Sequence, residues 1–193
     1  MCICSLTKPI ETDIELIILQ HSSEVHQPKG TARILSLSLK NSQILVGEDF
    51  SDHTQLNEML NEAGVNTIVL YPSEQSVPLE QMVAKQVSEQ TRPTSNSRWR
   101  VLLLDGTWKK AYKMWQLSKN LHALPCVALP EDLKGNYRVR KAPSENSLST
   151  VEAGYHVLSL LDPSTNYQPL LAAFEQMVDR QMAHIPKELR DKY

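Results

Sequence analysis

The amino-acid sequence predicts an α/β fold: a mostly parallel sheet flanked by helices. Short apolar runs recur along the chain, separated by stretches with helical periodicity. The runs are continuous, as in strands buried on both faces of a parallel sheet. One of them, Val101-Leu102-Leu103-Leu104, stops abruptly at Asp105-Gly106-Thr107-Trp108. A carboxylate and a glycine at a strand's carboxyl end lie where open α/β sheets place their ligand crevices.

Taken in order, Ile14 to Leu19 is the first predicted strand, and the polar stretch from Gln20-His21 through Glu24, His26, Pro28 and Gly30 is a loop. Thr31 is placed to cap a helix from Ala32 to Leu39, which Asn41 ends. Gln43 to Val46 is a second strand, stopped by Gly47. Ser51 or Asp52 can cap a helix whose stripe is Leu56, Met59, Leu60 and Ala63, closed by Gly64. Thr67 to Tyr71 is a third strand, ended by Pro72. A short helix fits Pro78 to Val87, followed by a linker rich in Ser, Thr, Asn and Pro. After the Trp99–Leu104 strand, Thr107 opens a helix carrying Trp108, Ala111, Tyr112, Trp115 and Leu117. Val127 to Leu129 is a short strand closed by Pro130, and Glu131 to Pro143 reads as a basic loop. Ser149-Thr150-Val151-Glu152 is a capping box before an apolar run through Tyr155, Leu158 and Leu161. A last helix from Gln168 to about Ala183 is expected to bury Leu170, Leu171, Phe174, Met177, Val178 and Met182.

With 193 residues, 41% hydrophobic and 22% charged, the chain is read as one folded domain over 1–193, with an N-terminal half of about 1–98 and a C-terminal half of about 99–193. No apolar run approaches the roughly 18–20 residues of a membrane span, and the start lacks a secretory pattern, so no membrane partner and a cytoplasmic setting are expected. Cys2, Cys4 and Cys126 cannot make a disulfide framework. Cys2-Ile3-Cys4 supplies two of the four ligands of a closed zinc site, with no second pair following, so reduced thiols are expected there. The net charge of −2 conceals an asymmetry. The stretch from Arg98 to Lys141 carries ten Lys/Arg against Asp105, Glu131 and Asp132, or +7, leaving −9 for the rest. Such a block suits a polyanion partner, and equally a solvated face.

Asp105 would sit at the sheet's edge, beside a glycine that admits close approach and a threonine that can cap the next helix. On pattern alone it can be a ligand-facing carboxylate or a plain helix cap. The helix start at Ser149 has the same two readings. Tyr137-Arg138-Val139-Arg140-Lys141 places three cations beside an aromatic ring, a mix suited to phosphate contact and base stacking, or to a solvated loop. His21 and His26, without cysteine partners or helical register, read as structural histidines. GxGxxG, GxxxxGK[ST] and GxSxG are all absent. Dinucleotide dehydrogenase, P-loop NTPase and α/β-hydrolase readings lose their support accordingly.

With these residues laid out, the chain resembles the DTW-domain family, named for an Asp-x-Thr-Trp motif that stands here as Asp105-Gly106-Thr107-Trp108. Two further stretches agree: Leu19-Gln20-His21 through Glu24, His26 and Gly30-Thr31-Ala32-Arg33, and Arg138 through Pro143 to Leu148-Ser149-Thr150-Val151-Glu152-Ala153. The resemblance covers nearly the whole chain. It implies a tRNA-uridine aminocarboxypropyltransferase, which moves the 3-amino-3-carboxypropyl group of S-adenosylmethionine to uridine N3 and releases 5′-methylthioadenosine. It further implies a relation to the SPOUT superfamily, with a C-terminal trefoil knot in the cofactor-binding half. On that resemblance Asp105 is the general base or orienter for the N3 proton. Pro72, Thr107, Trp108, Leu129, Leu148, Ser149, Thr150 and Ala153 surround the cofactor, and Lys109, Lys110, Arg138, Arg140 and Lys141 hold tRNA phosphates. Many relatives carry an extra cysteine pair upstream of Cys-x-Cys, which this sequence lacks, and no metal is expected. The rival expectations are a SPOUT-like RNA methyltransferase, a non-catalytic RNA-binding module, and the same transfer onto ribosomal RNA.

Overall fold

A computed structural model of the chain describes residues 2–27, 30–89, 98–130, 133 and 148–183. Among them six strands form one sheet: β1 (Glu15–Gln20), β2 (Ser42–Val46), β3 (Val65–Leu70), β4 (Val77–Pro78), β5 (Arg98–Asp105) and β6 (Cys126–Ala128). Their order is β2-β1-β5-β3-β6-β4, and every pairing is parallel. The helices are α1 (Ala32–Ser38), α2 (Thr54–Leu60), α3 (Leu79–Glu89), α4 (Trp108–Leu117), α5 (Thr150–Leu161) and α6 (Gln168–Ala183).

Both sheet faces are covered, which is why the strands read as unbroken apolar runs. Leu16, Ile18, Ile68, Val101, Leu103 and Val127 pack toward α1, α3, α5 and α6. The alternate residues Ile17, Leu19, Val69 and Leu102 pack toward Leu56 of α2 and Ala111, Met114 and Trp115 of α4. The chain runs outward from β1 to β2, returns to the other side at β3, and later inserts β5 between β1 and β3. The sheet therefore reverses direction at β1, β5 and β3, where doubly wound sheets leave a crevice beyond the carboxyl ends. Gln20 and Asp105, the last residues of β1 and β5, are register partners at that edge. No described helix is long and apolar enough to cross a membrane.

Several local expectations are corrected. Thr31 does not cap α1: its φ of −92° and ψ of −14° are helical, not the extended conformation a cap needs. Its Oγ1 instead accepts from the Val151 N–H at 3.3 Å, joining the α1 entry to the start of α5. Neither Ser51 nor Asp52 caps α2. His53 does so through Nδ1, which accepts from Leu56 N at 3.2 Å, while Ser51 Oγ donates to the Leu117 carbonyl. Helix α2 stops at Leu60, leaving Ala63 beyond it and exposed, and Gly64 turns the chain into β3 with φ of 79°. Pro78 belongs to β4, because two residues are too few to show a strand period. In α6 Ala173 is buried where Leu171 is only half-buried, a shift of the stripe by part of a turn. The predicted Tyr137–Lys141 loop lies outside the described residues, as do 131–132 and 134–147 of the connection from β6 to α5.

At the amino ends of the strands Arg100 is 1% exposed. Its guanidinium donates to Glu15 at 2.6 Å, to Glu62 at 2.6 Å and to the Met59 carbonyl at the end of α2. This fork uses the bidentate reach of arginine to tie β1, β5 and α2 together. Hydrogen bonding from Arg100 also holds the Glu62 carboxyl below its ordinary range.

Candidate functional site at the carboxyl edge of the sheet

The alternation that buries Val101 and Leu103 carries Asp105 to the same face, toward α5. Asp105 is 6% exposed. Its Oδ2 accepts from Gln20 Nε2 at 2.8 Å and its Oδ1 from Thr150 Oγ1 at 2.5 Å. Its backbone carbonyl accepts from His21 N at 2.9 Å. The carboxylate is thus held between the end of β1 and the first residue of α5 by two neutral donors. No lysine or arginine among the described residues pairs with it. A buried carboxylate is ordinarily paired with a cation, so one fixed only by an amide and a hydroxyl is suited to a cationic ligand.

Asp105 is therefore not the cap of α4. Thr107 is, with its Oγ1 accepting from Lys110 N at 3.4 Å. Gly106 lies between them, where a Cβ would come within 3.1 Å of Lys110 Cβ, tighter than most Cβ contacts. The start of α5 is closed in on itself. Ser149 N and Oγ donate to Glu152 Oε2 at 2.7 and 2.6 Å, and Glu152 N donates to Ser149 Oγ at 3.4 Å, completing the expected capping box. Thr150 remains to reach Asp105.

Neighbouring carboxyl ends complete the edge. Pro72 follows β3 and is exposed, while Leu129 follows β6 and packs half-buried against the core. Leu148 and Ala153 are half-buried on either side of the α5 start. Because β5, β3 and β6 are adjacent, the structure brings Asp105, Thr107, Pro72, Leu129 and the α5 N-terminus to one edge. Arg138, Arg140 and Lys141 lie outside the described residues. Much of the remaining basic block is consumed by the acidic half of the chain. Lys110 pairs with Glu24 at 2.7 Å, Lys113 with Glu48 at 2.5 Å, and Arg98 with Glu62 at 2.5 Å. Lys109 is exposed and meets no carboxylate among the described residues.

His21, buried beside Gly106, is structural as expected: Nδ1 accepts from Ser23 N at 3.1 Å and Nε2 faces Glu48 at 2.9 Å. The Lys113 ammonium is the main reason the Glu48 carboxyl sits below its ordinary range. Among the described residues no three or more His, Cys, Asp or Glu gather as metal ligands, and Cys2 and Cys4 are exposed free thiols.

Sequence reasoning did not assign a role to Gln20, and it gave Thr31 only the cap that it does not form. The signal for Gln20 was present: Leu16, Ile18 and Gln20 share one buried face by strand alternation, and a polar residue closing such a series needs a partner. Thr31 gave no comparable signal, since its partner lies far along the chain at Val151.

Fold and site together define a doubly wound parallel α/β protein with a fixed, buried carboxylate at the reversal point of its sheet. The DTW domain matches residues 1–182, and the chain belongs to that family. It is 32% identical over 169 residues to tRNA-uridine aminocarboxypropyltransferase 2 of Drosophila melanogaster, covering 84% of this chain and 62% of that protein. It is 24% identical over 191 residues to the proteins of the same name from Macaca fascicularis and Mus musculus, covering 95% of this chain and 61% of each. The chain thus spans about three-fifths of the length of these relatives. No solved structure matches it.

Proposed function

We propose that this chain transfers the 3-amino-3-carboxypropyl group of S-adenosylmethionine to N3 of a uridine in tRNA, releasing 5′-methylthioadenosine. The observation that carries the reading is Asp105: a buried carboxylate at the sheet's ligand edge, oriented by Gln20 and Thr150 and lacking a cationic partner among the described residues. The names of its relatives, tRNA-uridine aminocarboxypropyltransferase 2, support the reaction class.

The sulfonium co-substrate supplies an electrophilic carbon and a neutral thioether leaving group, so the protein's work is positioning and proton transfer. Asp105 takes the N3 proton as nitrogen bonds to the Cγ carbon, while the carbon–sulfur bonding pair stays with sulfur. Gln20 and Thr150 hold the carboxylate so that its remaining lone pairs point into the crevice. The same negative charge favours a cationic sulfonium or ammonium group nearby. Pro72, Thr107, Leu129, Leu148, Ser149, Thr150 and Ala153 are the proposed walls of the cofactor site. They combine apolar side chains with hydroxyls, a composition suited to a nucleoside with a polar amino-acid tail. Arg138, Arg140 and Lys141 are the proposed phosphate contacts, with Lys109 as the cation of α4 open to RNA. The proposed setting is the cytoplasm, and the proposed unit is a single domain over 1–193 whose C-terminal half carries the knot.

The deciding experiment incubates the protein with tRNA and S-adenosylmethionine and analyses the nucleosides by mass spectrometry. A uridine gaining the aminocarboxypropyl mass, with methylthioadenosine released, is expected. Methylated nucleoside with adenosylhomocysteine would replace this reading by a methyltransferase, and no S-adenosylmethionine binding by calorimetry would leave a non-catalytic RNA-binding module. Replacing Arg138, Arg140 and Lys141 together by glutamine should weaken tRNA binding and lower its salt slope by about 0.7–0.9 for each phosphate that is no longer neutralised. An unchanged slope would remove those residues from the phosphate interface.

A further inference from the structure

Beside the Asp105 crevice, α4 carries two large aromatic rings that the core does not use. Its inward stripe is Ala111, Met114 and Trp115. Trp108 and Tyr112 are 50% and 58% exposed, and they are the two aromatics among the large exposed hydrophobic side chains of the described residues. Four residues apart on a helix, they stand one above the other on the same flank. The inward face of α4 meets the carboxyl end of β3 through Trp115. There Tyr71 is buried, and its phenol is raised above the ordinary value by burial and then by the nearby Tyr112 phenol. Tyr71 stacks on Trp115 with ring centroids 5.1 Å apart, and Trp115 meets His122 at 4.6 Å, so the helix beneath the exposed rings is firmly anchored. Lys109 adds an exposed positive charge next to Trp108.

Exposed rings, a cation that meets no carboxylate among the described residues and a rigid base fit nucleobases better than an apolar protein surface, because every base has a π-face and every nucleotide an anion. The position adds a second argument: β5 ends at Asp105 and α4 starts at Trp108, so the first turn of α4 and Asp105 share the carboxyl edge of the sheet. Uridine N3 is the group that pairs across a duplex, so an acceptor must be unpaired, and its neighbours in an open loop have faces free for stacking. We infer that Trp108 and Tyr112 form a stacking platform for unpaired bases flanking the target uridine. This rests on the proposed function for the identity of the acceptor, and it moves Trp108 from the cofactor's wall to the RNA's.

The test measures affinity for a short oligouridylate and for an RNA duplex of equal length by fluorescence anisotropy, with the wild type, Trp108→Ala, Tyr112→Ala and Tyr112→Phe. Both rings are exposed, so the variants should melt with the wild type. Each alanine variant should bind oligouridylate about ten-fold more weakly, equivalent to about 1.4 kcal/mol, with its salt slope unchanged. Tyr112→Phe should bind as the wild type does, and duplex binding should be equal in all four. Equal losses on single strand and duplex, or no loss on either, would overturn the platform. So would unchanged oligouridylate affinity with weakened S-adenosylmethionine binding by calorimetry, which would give the rings to the adenosyl group. The two readings fail separately. A wild type that transfers nothing while Tyr112→Ala loses oligouridylate affinity retains the platform without the reaction. Normal transfer with unchanged affinity in both alanine variants retains the reaction without the platform.

Discussion

Asp105→Asn is expected to slow aminocarboxypropyl transfer by at least about 100-fold, the lower range for loss of a general base. Melting temperature and S-adenosylmethionine affinity should change little. The substitution keeps the shape of the side chain but removes the atom that accepts the N3 proton. The fold tolerates it for a specific reason. Thr150 Oγ1 can still donate to the asparagine oxygen, and the Gln20 amide can turn over so that its oxygen accepts from the new amide group. Single-turnover kinetics on tRNA, with calorimetric titration of S-adenosylmethionine, separates the two effects. Transfer at a near-normal rate in the folded variant would end the assignment of Asp105 as the base.

The second large effect is on stability, at the other end of the same strand. Arg100→Ala should destabilise the fold by about 3 kcal/mol, the lower range for removing one partner from a buried ion pair, since both carboxylates keep some solvent access. For a chain of this length that lowers the melting temperature by roughly 6–12 °C. The substitution takes the arginine from Glu15, leaves Glu62 with Arg98 alone and the Met59 carbonyl with the Glu62 N–H alone, and does not touch the carboxyl edge. Transfer per folded molecule should therefore equal that of the wild type at a temperature where both are folded. A pH arm checks the cause. The Glu62 carboxyl is held below its ordinary value in the folded state, mainly by Arg100. Its contribution is present above the unfolded-state pKa and is lost as pH falls through the lower folded one. The stability gap between wild type and Glu62→Gln should accordingly be widest near neutrality and close in acid, read as urea midpoints across pH. A gap independent of pH would mean that Glu62 acts through packing and not through its charge.

The family motif and the parallel sheet were legible because both are local. An apolar run ending in Asp-Gly-Thr-Trp names its strand end, its turn and its cap within a few residues, and the capping box at Ser149–Glu152 closes within one helical turn. The errors at α1 and α2 have one origin: Thr31, Ser51 and Asp52 are chosen as caps by residue type, whereas caps depend on backbone angles and on which side chain reaches the free N–H groups. The reading of the basic block overstated the free positive charge for a similar reason. Sequence counts cations without their partners, and Arg98, Arg100, Lys110 and Lys113 each meet a glutamate drawn from the acidic half. Trp108 and Tyr112 share the helical period of Ala111 and Trp115, and only the packing of α4 turns Met114 inward and leaves those two rings exposed.

By itself the sequence determined the α/β class, the run of strands toward a carboxylate at a strand end, and membership of the family. Each of these is written in short-range periodicity or in contiguous residues. Tertiary structure alone decided that β5 lies between β1 and β3, and so that Gln20 and Thr150, 85 and 45 residues away along the chain, clasp Asp105. It also decided that the aromatic flank of α4 faces outward. Strand order and helix rotation are set by how whole faces pack, and no local pattern encodes which distant donor will reach a buried carboxylate.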